Sequence, residues 1–261
     1  EPDAGLDTGR IATFARRDER GYVVDGRKMW TSTAQVADRI LLLARTTPRD
    51  RCRRSTDGLT LFYTGLDRSC VEIREIGKMG RASVDSNALF IDGLRIPEED
   101  RIGEEGEGFR LLLHSLNPER VLVAVEAVGI GRQALARAAR YAKERVVFDR
   151  PIGQNQGVAH PLARSWIELE AAWLMAMRAA WTFDRGLPAG AHANAAKYYA
   201  GEAAFRACER AVMAHGGMGY AKEFHVERLM REVFIPRIAP VSPEMILNYI
   251  AERVLGLPRS Y

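Results

Sequence analysis

Apolar residues follow two rhythms along this chain, and the change falls near residue 102. Up to about Arg95 they come in short runs bounded by turn residues. Gly21–Gly26, Lys28–Thr31, Ile40–Ala44, Leu59–Tyr63, Val71–Ile76 and Ala88–Ile91 each have the length and residue types of a strand. Asp25-Gly26 predicts a hairpin turn between the first two. The series predicts an antiparallel barrel or sandwich. Past Gly103, alanine, leucine, arginine and glutamate recur at helical spacing, and helices are predicted over Gly106–Lys143, Asn155–Asp184, Ala191–His215 and Ser242–Val254. Four helices with short connections imply a bundle. The fold class is α+β: a β domain at 1–102, then an all-α four-helix bundle at 103–261.

One residue breaks the apolar pattern of the first long helix. Glu119 follows Pro118 among Leu111, Leu112, Leu116, Val121, Val125 and Val128. A carboxylate in largely apolar surroundings has its pKa raised toward the range useful to a general base. Arg120 points in a different direction on a helix and need not pair with it. A second reading makes Pro118 the N1 residue of a helix, with Asn117 as N-cap and Glu119 favoured by the helix dipole.

Charge and composition narrow the classes without naming one. The 38 basic and 34 acidic residues leave a net charge of +4, too even to argue for nucleic acid. The basic run Arg49–Arg54 reads as a solvated turn. Cys52, Cys70 and Cys208 have neither a metal-ligand nor a disulfide spacing, so a reducing, cytoplasmic setting is expected. His114, His160 and His215 likewise lack a metal spacing. No apolar run is long enough to insert in a bilayer. The chain opens on Glu1 inside a loop, so further residues upstream are expected.

Six short stretches could carry chemistry. They are Glu1-Pro-Asp-Ala-Gly5, Trp30-Thr31-Ser32, Lys78-Met-Gly80 followed by Arg81–Ser86, Arg145-Val-Val-Phe148, Pro151–Gln156 and His215-Gly-Gly-Met-Gly-Tyr220. In the last, backbone amides between helices could approach a phosphate closely. Each alone also fits a turn or a strand end. In this order and at these separations they resemble the acyl-CoA dehydrogenases, flavoproteins that place a double bond between the α and β carbons of an acyl-CoA thioester. The resemblance runs through the whole chain.

The resemblance implies FAD as cofactor, an acyl-CoA as substrate, an electron-transfer flavoprotein as acceptor and a homotetramer built as a dimer of dimers. Trp30, Thr31 and Ser32 match the strand that flanks the flavin ring, with the Thr31 hydroxyl near N5, and Gly5 matches a loop beside it. Arg145, Phe148, Gln156, Gly216, Gly217 and Ser242 match contacts to the diphosphate and adenosine half, and Arg120 and Tyr220 lie on the substrate side. Leu6, Asp149 and Met213 depart from the family's serine, glycine and glutamine. Pro240 stands where many members carry the base, a position that proline cannot serve. Leu116–Val121 matches instead the branch in which the base comes from the first bundle helix, which makes Glu119 the base. The family's N-terminal helical domain has no counterpart in this chain. Two alternatives are a flavin oxidase or monooxygenase on the same fold and a noncatalytic FAD-binding partner subunit.

Overall fold

The structure is a computed structural model that describes residues 1–259. It divides into two compact units, Glu1–Ser115 and Leu116 onward. The division falls inside the first long helix.

The first unit is one seven-stranded sheet. Its strands are β1 (Phe14–Asp18), β2 (Gly21–Ser32), β3 (Arg39–Arg45), β4 (Leu59–Gly65), β5 (Val71–Glu75), β6 (Ser86–Ile96) and β7 (Arg101–Ile102), in the order β5-β6-β2-β1-β3-β4-β7. Two expectations are corrected here. The sheet is open at β5 and β7 rather than closed as a barrel, and β1 meets β3 in parallel through Phe14 and Arg45. Asp25-Gly26 is no hairpin turn either: β2 runs through it, with a register shift against β6 between Val24 and Gly26. A Cβ on Gly26 would lie 2.4 Å from Thr13 Oγ1, so the glycine admits a close strand approach rather than a chain reversal. The reversal lies one step earlier, at Glu19 and Arg20 between β1 and β2. Tyr22, Val24, Leu42, Phe62, Leu89 and Leu94 fill the core, with Tyr22 edge-on to Phe62 at 4.9 Å.

Two polar anchors fix the opening loop to this sheet. Glu1 accepts from the Ala12 amide at 2.7 Å and from the half-buried Lys28 ammonium at 2.7 Å, which also donates to the Leu43 carbonyl. Arg45, only 4% exposed, donates to the carbonyls of Gly9, Ile11, Thr47, Ser55 and Asp57.

The second unit holds most of α1 (Gly108–Glu144), then α2 (Gln156–Asp184), α3 (Gly190–His215), α4 (Val226–Glu232), α5 (Phe234–Ile238) and α6 (Pro243–Arg253). Between α1 and α2 lies the small hairpin of β8 (Val146–Val147) and β9 (Arg150–Pro151). The first turns of α1 belong with the sheet because a Cβ on Gly108 would meet the Leu61 nitrogen at 2.5 Å. The four predicted helices all form, and α4 and α5 add two short ones between the third and the fourth. The bundle core is built largely of alanine, with Ala124, Ala127, Ala172, Ala176, Ala196, Ala200 and Ala204 fully buried. No helix among the described residues is long and apolar enough to cross a membrane.

Burial by itself would raise the Glu1 pKa, but the Ala12 amide and then Lys28 override it and hold it at about 2, against an ordinary 4.5. A depressed carboxyl stabilises fully above its unfolded pKa and loses that contribution as pH falls through the folded one. The window here is about 4.5 down to 2. Denaturant unfolding at about pH 7 and pH 3 should show a larger acid loss for the parent than for Glu1→Gln. Equal losses would contradict the assignment.

Candidate active site

Trp30-Thr31-Ser32 closes β2 in an irregular way. The register against β6 shifts between Lys28 and Thr31, and Trp30 adopts φ +63 and is 62% exposed. The Thr31 carbonyl accepts from Asn87 Nδ2 at 3.0 Å. Asn87 is fully buried, accepts from Gln35 Nε2 at 2.8 Å and also donates to Asp85. That bond from Asn87, with the Gln35 amide behind it, holds the Asp85 carboxyl below its usual range. Arg68 donates to the carbonyls of Ala34, Gln35 and Ala37 in the loop that follows. In the opening loop Ala4 is buried while Gly5 and Leu6 are exposed.

In the bundle, two chain reversals present open backbone and aromatic rings. Val147 pairs with Arg150, so Phe148 and Asp149 form a two-residue loop with φ of +52 and +58. This places Phe148 at the tip, 93% exposed, with Arg145 exposed just before β8. The second reversal follows α3. His215 stacks on Tyr141 at 4.4 Å, which brings the last turns of α1 beside the Gly216 turn. A cleft of about 420 Å³ opens there over Tyr141, His215 and Phe224, rimmed by Arg137, Arg140, Glu144 and Glu223. The buried Nε of Arg137 has no hydrogen-bond partner. Gly216 has φ +58, and no atom lies within 4 Å of a Cβ built on Gly216 or Gly217. Tyr220 is 89% and Met213 75% exposed. Gln156 is the exposed first residue of α2. The Ser242 hydroxyl caps α6 by accepting from the Met245 amide at 3.3 Å and donates to the Glu244 carboxyl, which that residue's own amide and then this bond hold below its usual range.

Glu119 sits well inside α1, which starts at Gly108, so the reading as a first-turn cap residue is corrected. So is the expectation of apolar surroundings: Glu119 is exposed, on the same helical face as the exposed Leu122, while Val121, Ala124 and Val128 turn inward. Pro118 leaves the His114 carbonyl without its usual donor inside the helix. Arg120 donates to Asn117 Oδ1 at 3.0 Å, and its Nε is buried without a partner. Burial pushes the Arg120 pKa down, against the pull of Glu119 and Tyr249. Nearby Lys197, 1% exposed, donates to the carbonyls of Arg237 at 3.0 Å and Val241 at 2.6 Å. It thereby fixes the turn that contains Pro240. Burial first, and the Arg120 charge second, push the Lys197 pKa down to about 8.

Residues 1–94 match the family model for the acyl-CoA dehydrogenase middle domain, and residues 106–255 match the model for the C-terminal domain. The chain belongs to the acyl-CoA dehydrogenase family. It is 40% identical over 264 residues to the acyl-CoA dehydrogenase FadE12 of Mycobacterium tuberculosis, covering all of this chain and 67% of that one. The butyryl-CoA dehydrogenase of Megasphaera elsdenii superposes with a TM-score of 0.93 at 31% identity, over 98% of this chain and 66% of its own. A FAD complex of PigA superposes with a TM-score of 0.92 at 28% identity, again over 98% and 66%. The chain thus spans about two thirds of the length of these relatives.

The residues the family resemblance assigns to FAD fit that group physically. Gly216 and Gly217 leave their backbone open to a phosphate, Arg145 offers an exposed guanidinium, and Trp30, Phe148 and Tyr220 present uncovered rings. The Asn87, Asp85 and Arg68 network is absent from the sequence reading. Its signal is there, though: Asn87 lies in phase with the inward Leu89 and Ile91 of β6. Asp149 carries a second lesson, since its left-handed φ explains why glycine is favoured at that position. Asp149→Gly should raise stability by about 0.5–1 kcal/mol. Thermal unfolding reads this directly, and a lowered midpoint would show that the turn does not carry the strain.

Proposed function

We propose that this protein is an FAD-dependent dehydrogenase of an acyl-CoA thioester, with Glu119 as the base that removes the α proton. The observation that carries the reading is the pair of positions 119 and 240: an exposed carboxylate at one and a proline at the other. When bound, FAD supplies the acceptor for the hydride that leaves the β carbon. The Glu119 carboxyl is exposed, so it needs no conformational release to meet a substrate proton, and an acyl chain that covers a carboxylate strips its water and strengthens it as a base. Arg120, held by Asn117, keeps a positive charge beside the carboxylate without occupying it. Arg145 clamps the diphosphate by charge-assisted hydrogen bonds, and Gly216 and Gly217 admit it to the backbone. Trp30, Thr31 and Ser32 serve the flavin ring, and Gln156 and Ser242 add polar contacts. An electron-transfer flavoprotein takes the electrons onward.

A homo-oligomer belongs to the same reading. Trp166, Leu174 and Trp181 lie at helical spacing on α2 and are 59%, 68% and 55% exposed, an apolar stripe suited to a second copy.

Anaerobic mixing of the FAD-loaded protein with straight and branched acyl-CoAs should bleach the flavin absorbance, and the fastest member identifies the substrate class. Consumption of oxygen in place of an acceptor protein would move the reading to an oxidase. Glu119→Gln should keep FAD and slow bleaching by at least about 100-fold. Bleaching at the parent rate would remove Glu119 from the mechanism. Arg145→Ala should weaken FAD by about tenfold or more in an apoprotein titration, and a variant that keeps full flavin affinity would rule out the clamp.

A further inference from the structure

The geometry points to Asn87 as the positioning residue that sets the Trp30–Ser32 strand end for the flavin ring, an assignment that rests on the FAD reading above. The strand end holds two non-glycine residues in the left-handed region, Trp30 at φ +63 and Thr33 at φ +59. Such backbone is costly for a bulky side chain and persists only where its surroundings over-determine it. Here they do. Asn87 grips the Thr31 carbonyl at 3.0 Å, the Thr33 amide donates to the Asp85 carbonyl at 3.4 Å, and Arg68 holds three carbonyls of the next turn.

Asn87 is the centre of this arrangement. It stands in β6 beside the buried Ala88, Leu89 and Ile91, where packing alone would favour an aliphatic side chain. A buried carboxamide is tolerated only when its donors and acceptor are used. Its Nδ2 serves Thr31 and Asp85, and its Oδ1 accepts from Gln35. All of its polarity is thus directed at the strand end and the loop leaving it. Holding the Thr31 carbonyl fixes the peptide plane after Thr31 and so constrains the backbone that carries the Thr31 hydroxyl and the Trp30 indole toward a planar ring.

The test is FAD titration of the apoprotein for the parent, Asn87→Leu, Gln35→Ala and Leu94→Ala, with the visible flavin spectrum and thermal midpoint recorded for each. Asn87→Leu keeps the branched outline of the side chain and removes the grip, so FAD affinity should fall about tenfold or more and the flavin absorption envelope should shift. Gln35→Ala removes one exposed donor and should move both readouts the same way by less. Leu94→Ala, a buried truncation elsewhere in the sheet, should lower the thermal midpoint with an unshifted spectrum. If Asn87→Leu does not fold, Gln35→Ala carries the test. Parent affinity and spectrum in the folded variants, or an equal spectral shift in Leu94→Ala, would overturn the positioning role and leave the FAD reading standing. A parent protein that binds no FAD overturns both.

Discussion

The three long helices of the bundle approach one another to within the width of a methyl group, and what the bundle presents outward depends on that spacing. A Cβ on Gly131 of α1 would lie 2.6 Å from Leu169 Cδ2 on α2 and 3.1 Å from the Ala204 Cα on α3. Facing positions are accordingly alanine, with Ala172, Ala176, Ala179, Ala200, Ala203, Ala204 and Ala207 all at 0% exposure. Alanine at these positions keeps the helices close, while larger residues such as Val128, Leu169 and Val233 fill the core beside them and Trp166, Leu174 and Trp181 stay exposed. The same tight face seals Lys197 away from water. That seal obliges its ammonium to find backbone carbonyls and so organises the turn between α5 and α6.

Much of this was legible in the sequence where local pattern and tertiary context agree. The helix boundaries came out within a few residues because Ala- and Leu-rich periodicity coincides with burial along α1, α2 and α3. The strand cores came out for the same reason. The Asp25-Gly26 turn did not, because the glycine answers a contact with Thr13, which lies in another segment and leaves no local trace. The parallel contact of β1 with β3 is likewise invisible to a pattern that records only neighbours in sequence.

The candidate site divides along the same line. Residues proposed to approach a ligand were legible only in part: Phe148 is a large ring at a turn tip, whereas Gly216 at φ +58 is also the ordinary glycine stop of a helix, and the Gly217 that follows it is what a stop does not require. Residues that hold those in place are ordinary in type, and their meaning lies in partners distant along the chain: Asn87 to Thr31, Lys197 to Arg237, Tyr141 to His215. The surroundings of Glu119 were misjudged because a run of apolar residues in sequence spreads around all sides of a helix. The side Glu119 occupies with Leu122 faces water in this chain.

The opening loop that carries Gly5 is fastened by two anchors of unlike chemistry. Glu1 is an ionisable clasp, whereas Arg45 holds Gly9 and Ile11 through neutral carbonyls, acceptors that acid does not protonate. Acid therefore opens one fastening and leaves the other closed. The residues before Gly9 then lose their tie to Ala12 and Lys28, while Gly9 and Ile11 stay bound to Arg45.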